Sequence, residues 1–150
     1  MTDLAANRKI IQDQHDAFNR GDMDAAAECF AGDTRNHGRS VGREGVRTVL
    51  KDIQTTFQDV QLKILQAIAE DEWVTVRCTF SGTHRGVGRL PVNGGMHVSV
   101  PPTGRYFEVQ HIHMYRVEGG TIVEHFASRD DLGMMQQLGL LSVPAPSASR

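Results

Sequence analysis

The sequence predicts an α+β domain, and three observations carry that expectation. Apolar residues recur at helical spacing up to Phe57, the period falls to two after Asp59, and a short helical run follows Asp131 near the end. Ile10, Ile11 and Phe18 keep helical spacing over residues 4–19. Thr2 or Asp3 is available to cap the start, and Asn19-Arg20-Gly21 to stop the helix. Asp22 then opens a second, short helix through Met23, Ala26, Ala27 and Phe30 that ends near Gly32. Residues 34–41 read as a short strand or a loop. Val46, Val49, Leu50, Ile53 and Phe57 give a third helix one apolar stripe, with Arg47, Lys51 and Asp52 on its polar side.

Beyond Asp59, Val60, Leu62 and Ile64 alternate with Gln61 and Lys63, the pattern of a half-buried strand. Glu70-Asp71-Glu72 makes a turn into a strand from Trp73 to His84. Residues 85–104, rich in glycine and proline, read as loop. A long strand from about Arg105 to Val117 turns at Glu118-Gly119-Gly120 into another, Thr121 to Ala127, as an antiparallel hairpin. Asp131 reads as the cap of the last helix, through Leu132, Met135 and Leu138, with Asp130 a solvated neighbour. The expected architecture is one domain over residues 1–141 and a flexible tail over 142–150. Helices cover one face of a strongly curved antiparallel sheet, with a cavity at the open end.

Composition narrows the function. The chain has 150 residues, 39% apolar and 23% charged, with a formal net charge of −2, so no general positive field is available for nucleic acid or anionic membrane. No apolar run approaches the roughly 20 residues of a membrane span, and charged residues interrupt the N-terminal stretch where a secretory leader would need an apolar core. Two distant cysteines, Cys29 and Cys78, read as reduced thiols of a cytoplasmic protein. The seven histidines are unusual for this size.

Alternation places Val109, His111, His113 and Tyr115 on one strand face, with the two imidazoles roughly 6.5 Å apart along the strand. If the faces match across the hairpin, His125 joins them. Three readings of this face stand open. His111-Ile112-His113 followed by Glu118 resembles the first cupin motif, whose ligands hold a divalent ion. Paired imidazoles in an apolar pocket can instead move protons without metal. Or the histidines satisfy hydrogen bonds on a hydrated inner surface and do nothing more. His37 and Asp130 are candidate auxiliaries, and His15, on the first helix, is expected to stand apart from the site.

Five segments in order then resemble one family. They are Phe18-Asn19-Arg20-Gly21-Asp22-Met23-Asp24, Gly82-Thr83-His84-Arg85-Gly86, Pro101-Pro102-Thr103-Gly104-Arg105, Gly120-Thr121-Ile122-Val123-Glu124-His125-Phe126, and the run from Arg129 to Gly139. In that order the chain resembles the SnoaL-like polyketide cyclases and ester cyclases of the nuclear-transport-factor-2-like superfamily. The resemblance implies a cone-shaped α+β barrel with a deep apolar pocket, often dimeric through the outer sheet face. It implies ring closure of an aromatic polyketide ester by aldol chemistry, with neither metal nor organic cofactor. A last-strand aspartate serves those cyclases as acid–base, assisted by a Gln-x-His pair on the preceding strand. Here the histidine of that pair matches His113, His111 occupies the glutamine position, and Ala127 the aspartate position.

The expectation is therefore an enzyme acting on an aromatic or polycyclic small molecule by cyclisation or isomerisation. Hydroxylation and non-catalytic ligand binding remain alternatives. His111 and His113 are the expected catalytic groups, with His37, Tyr115, His125, Ala127 and Asp130 around the substrate. No metal, cofactor, nucleic-acid or membrane partner is expected, and the protein is expected to be a cytoplasmic homodimer or higher homo-oligomer. The segment from Gly86 to Pro101 is about ten residues longer than the family pattern implies, and reads equally as a lid or as a disordered loop.

Overall fold

A computed structural model describes residues 2–91 and 98–142. The chain runs α1 (Leu4–Asn19), α2 (Met23–Glu28), β1 (Phe30–Asn36), β2 (Arg39–Ser40), α3 (Gly42–Thr56), β3 (Gln61–Glu70), β4 (Trp73–Thr83), β5 (Tyr106–Glu118), β6 (Thr121–Arg129) and α4 (Asp131–Gln137). Asp3 caps α1 by accepting from the Ala6 amide. The helix stops as Gly21 N–H donates to Phe18 O and Asp22 N–H to Ala17 O, and Asp22 at once caps α2 through the Ala25 amide.

The six strands form one curved, open sheet in the order β2-β1-β6-β5-β4-β3. It is mixed, whereas the sequence reading has it antiparallel throughout. β1 lies parallel to β6, with Asn36 beside His125. The sequence reading carries the second helix on to Phe30, but the strand begins there, because Phe30 and Ala31 are buried against the sheet. A parallel partner so distant in sequence leaves no local hairpin signal. The sheet also stays open, with β2 and β3 at its edges, instead of closing into a barrel.

The β5–β6 hairpin turns through Gly119 and Gly120, both at positive φ (56° and 78°), as a two-residue turn of this kind requires. Two residues share a close approach on the loop side. A Cβ on Gly86 would stand 2.0 Å from Thr55 O, so only glycine lets this strand exit pass the end of α3. Its amide and that of Arg85 both donate to Thr56 O.

Strand β6 runs two residues further than its pattern suggests, to Arg129, and only Asp130 separates it from α4. Asp130, not Asp131, is therefore the cap. Its backbone is non-helical and its carboxylate accepts from the Gly133 amide at 2.8 Å. The core fills the space between α1, α2 and the concave face of the sheet, with Ile11, Phe18, Val74, Val76, Cys78, Phe107 and Ile122 all buried. The tail lies outside the described residues from 143 on, as do positions 92–97 of the candidate lid.

Candidate functional site

Helix α3 carries a strong apolar stripe, yet Val46, Val49, Leu50 and Ile53 are only half-buried. They form one wall of a cavity of about 460 Å³ whose other walls are Phe18 and Gln14 of α1, Phe30 and Asn36 of β1, Leu62 and Phe80, and the inner face of β5 and β6. Leu90 from the long loop closes part of the rim, held by Arg89 and Leu90 amides that donate to the Asp52 carboxylate. This size suits a drug-sized ligand, and the lining is mostly apolar with few polar groups.

Pairing across the hairpin sets His113 against Ala127, Tyr115 against His125 and His111 against Arg129. Directly paired residues share a face, so the imidazoles converge. His113 stacks on His125 with ring centres 5.1 Å apart, and Tyr115 stacks on His125 at 4.8 Å. His111 packs against Phe80 at 4.7 Å.

The nitrogens form one chain. His111 Nδ1 meets His113 Nε2 at 3.2 Å, His113 Nδ1 meets His125 Nε2 at 2.8 Å, and His125 Nδ1 meets Asn36 Oδ1 at 3.1 Å. The amide oxygen can only accept, so His125 carries its proton on Nδ1. Its Nε2 lone pair must then accept from His113 Nδ1–H, whose Nε2 in turn accepts from His111 Nδ1–H. One tautomer runs through all three rings and ends on the His111 Nε2 lone pair, which is buried and has no partner.

Burial, and next the positive charge of Arg129, lowers the His111 pKa to about 3. The same two causes, with smaller contributions from other histidines, take His125 to about 3. His113 lies well below its ordinary value, chiefly by burial and then through His125. All three are neutral at pH 7.

His15 is not apart from this site. It is fully buried, its Nδ1 donates to Leu62 O at 3.2 Å, and its Nε2 accepts from the Tyr115 hydroxyl at 3.0 Å. Its ring meets His113 edge-on at 6.1 Å, and burial lowers its pKa to about 4. The helical stripe Ile11, His15, Phe18 carried that signal, because these positions are i, i+4 and i+7.

Three expected residues lie outside the cavity lining. His37 is exposed in the β1–β2 turn, where its Nε2 accepts from the Ala127 amide at 3.1 Å and its ring packs on Phe126. Ala127 shares the face of His113 but does not line the cavity. Asp130 is an exposed helix cap. Arg129 and Asn36, which do line it, were not among the expected site residues.

The cupin-like ligand set is not assembled. Glu118 stands on the opposite face of β5 and pairs with Arg116. Among the described residues, no three His, Cys, Asp or Glu side chains are grouped to hold a metal.

Comparison with known proteins agrees with this architecture. The family model for SnoaL-like polyketide cyclase matches residues 9–138. The nogalonic acid methyl ester cyclase of Streptomyces nogalater is 30% identical over 129 residues, covering 82% of this chain and 90% of the relative. The aklanonic acid methyl ester cyclase of Streptomyces peucetius is 27% identical over 137 residues, 87% of this chain and 88% of that protein. Among solved structures, TsrD from Streptomyces laurentii superposes with a TM-score of 0.80 at 28% identity, covering 94% of this chain and 100% of the other. IdmH from Streptomyces antibioticus gives 0.71 at 32% identity, over 89% and 98%. With the family model spanning most of the sequence and the cavity in place, the chain belongs to the SnoaL-like polyketide cyclases.

Proposed function

We propose that this protein closes a ring in an aromatic polyketide ester, using His111 as the acid–base group and His113 and His125 as its relay. The observation that carries the reading is the unpartnered His111 Nε2 lone pair, buried on the cavity wall at the end of an ordered imidazole chain. His111 Nε2 takes the proton from the carbon between two carbonyl groups. The carbanion attacks a third, remote carbonyl carbon of the same molecule, forming the C–C bond, and the new alkoxide recovers the proton from the imidazolium. His111 Nδ1–H can pass toward His113 Nε2, and His113 Nδ1–H toward His125 Nε2, so the positive charge spreads inward while the proton is held. The step balances without redox change and calls on no cofactor.

Ala127 stands where the resemblance places a carboxylate base, and a methyl group cannot exchange a proton. The chemistry has accordingly moved one strand over, to the neighbouring imidazoles. The cyclase names of the two curated relatives favour ring closure over hydroxylation. The same reading makes the protein a cytoplasmic homo-oligomer that pairs through the outer sheet face, where Ile112, Met114 and Tyr106 are exposed.

The test is turnover of nogalonic or aklanonic acid methyl ester by wild type, His111→Gln and His113→Ala. General acid–base groups contribute roughly 10²–10⁴-fold, so His111→Gln is expected to lose at least tenfold in kcat with its fold retained. Normal turnover by both variants would make the imidazoles structural and move the acid–base role to another group, and binding without turnover by wild type would leave ligand binding as the protein's role.

A further inference from the structure

The cavity contains a cation that the proton relay does not use. Arg129 closes β6 directly opposite His111 and points its side chain into the lining. Among the described residues no carboxylate lies within ion-pair distance of it, and its guanidinium makes no hydrogen bond. Asp131 is the nearest acid to act on it, and only through space. The other charged lining residue, Arg35, is exposed and donates to Gly38 O at 2.7 Å. Besides the Asp131 carboxyl, the titratable side chains that Arg129 acts on or that act on it carry no negative charge at pH 7: His37, His111, His113, His125, Tyr115 and Cys78.

A half-buried guanidinium stays charged, and the water it loses goes uncompensated without an acceptor within hydrogen-bond reach. Five N–H donors in a planar fork match one or two anionic oxygens. The remaining orphaned polar atoms of the cavity are two lone pairs, His111 Nε2 and Gln14 Oε1, which ask for an O–H and cannot serve an anion.

We infer that Arg129 is the specificity-determining residue of the cavity, selecting ligands that present an acidic oxygen, as phenolate, enolate or carboxylate, next to His111. The inference rests on the cavity being the substrate site proposed above. It adds a direction to binding: the anionic oxygen sits on the guanidinium, and a ligand hydroxyl or acidic C–H faces the lone pairs. It also links recognition to base strength. Arg129 is one cause of the low basicity of His111, so an anion on the guanidinium returns basicity to the imidazole.

The experiment reads binding, not turnover, so its failure leaves the His111 reading to its own test. Three three-ring probes are titrated by absorbance and fluorescence: alizarin (a phenol), anthraquinone-2-carboxylate, and 2-(hydroxymethyl)anthraquinone as the uncharged match. Both acidic probes are expected to bind wild type at least tenfold more tightly than Arg129→Gln, with Arg129→Lys between, while the uncharged probe changes less than twofold. A loss for the carboxylate alone or the phenol alone identifies which oxygen the site takes. Where Arg129→Gln does not fold, wild type alone decides. Bound alizarin must ionise at least one pH unit below free alizarin. Equal affinity of wild type and Arg129→Gln for both acidic probes, no binding of either acidic probe at its solubility limit, or, where the variant does not fold, an unshifted or raised ionisation of bound alizarin would each overturn the inference.

Discussion

Lowering the pH from 7 to 5 should remove a large share of this protein's stability, through its buried imidazoles. His15 has a pKa of about 4 in the fold, and His111 and His125 of about 3, each set first by burial. In the unfolded chain each returns to about 6.5. Folded values below unfolded ones mean that the stability is complete above about pH 6.5 and drains as the pH falls toward 3–4. At pH 5 the unfolded state gains about 2 kcal/mol per such group from protonation that the fold refuses. These three groups together give about 6 kcal/mol, against a usual total of about 5–15 kcal/mol. His113, lowered as well, adds to this loss, while a proton accepted by the chain of His111, His113 and His125 is shared and reduces it. The carboxylates Asp24 and Asp59, whose pKa values are lowered, lose their contribution only further into acid. Asp131, raised chiefly by burial, works with the opposite sign, so a loss of stability between pH 7 and 5 reports on the histidines. Urea unfolding followed by circular dichroism at half-unit intervals supplies the measurement. Each imidazole contributes a slope of about 1.4 kcal/mol per pH unit, and His111→Gln should remove one such slope. Stability constant within about 1 kcal/mol from pH 7 to 5 would refute the reasoning, since the imidazoles would then be protonated or hydrated inside the fold.

Gly86→Ala drives a methyl into the Thr55 carbonyl and should cost about 1–3 kcal/mol, read as a lowered urea midpoint. Asn36→Asp puts a carboxylate at the inner end of the relay and should raise the His125 pKa, visible in the NMR titration of its ring protons; an unmoved titration would remove Asn36 from the chain. Exhaustive chelation should leave turnover and folding unchanged, and activity lost with a stoichiometric metal and restored by it would overturn the metal-free reading. Light scattering at micromolar concentration should return a particle at least twice the mass of the chain, and a monomer would dismiss pairing through the Ile112 and Met114 face.

What could be read from the sequence was whatever depends on local periodicity. Alternation alone puts His111, His113 and Tyr115 on the inner face of β5, and the helical stripe of α3 is the cavity wall. Continued two residues further, to the end of β6, the same alternation brings in Arg129, since 125, 127 and 129 share a face. His15 was legible as well, but a polar residue on an apolar stripe reads as an interruption until its partners, Leu62 and Tyr115, are known. Asn36 left no trace. It reaches His125 through the parallel pairing of β1 with β6, a contact across 89 residues that no short-range pattern encodes.

The alanine at position 127 and the unpaired charge at position 129 belong to one arrangement. Both lie on the face that pairs with His113 and His111, roughly 6.5 Å apart along β6. A carboxylate at 127 would stand beside the guanidinium and opposite an imidazole. It would neutralise the one and favour the protonated form of the other. With a methyl group there, the cation stays free and the imidazoles stay neutral until something else supplies the negative charge. On the proposed reading, the substrate supplies it. An acidic oxygen arriving at Arg129 completes the electrostatics that a side-chain carboxylate would have built in, and the His111 lone pair gains strength as a base at the moment a proton is there to be taken. A buried base that is weak in the empty cavity is then no contradiction, because its basicity is conditional on the ligand whose proton it removes.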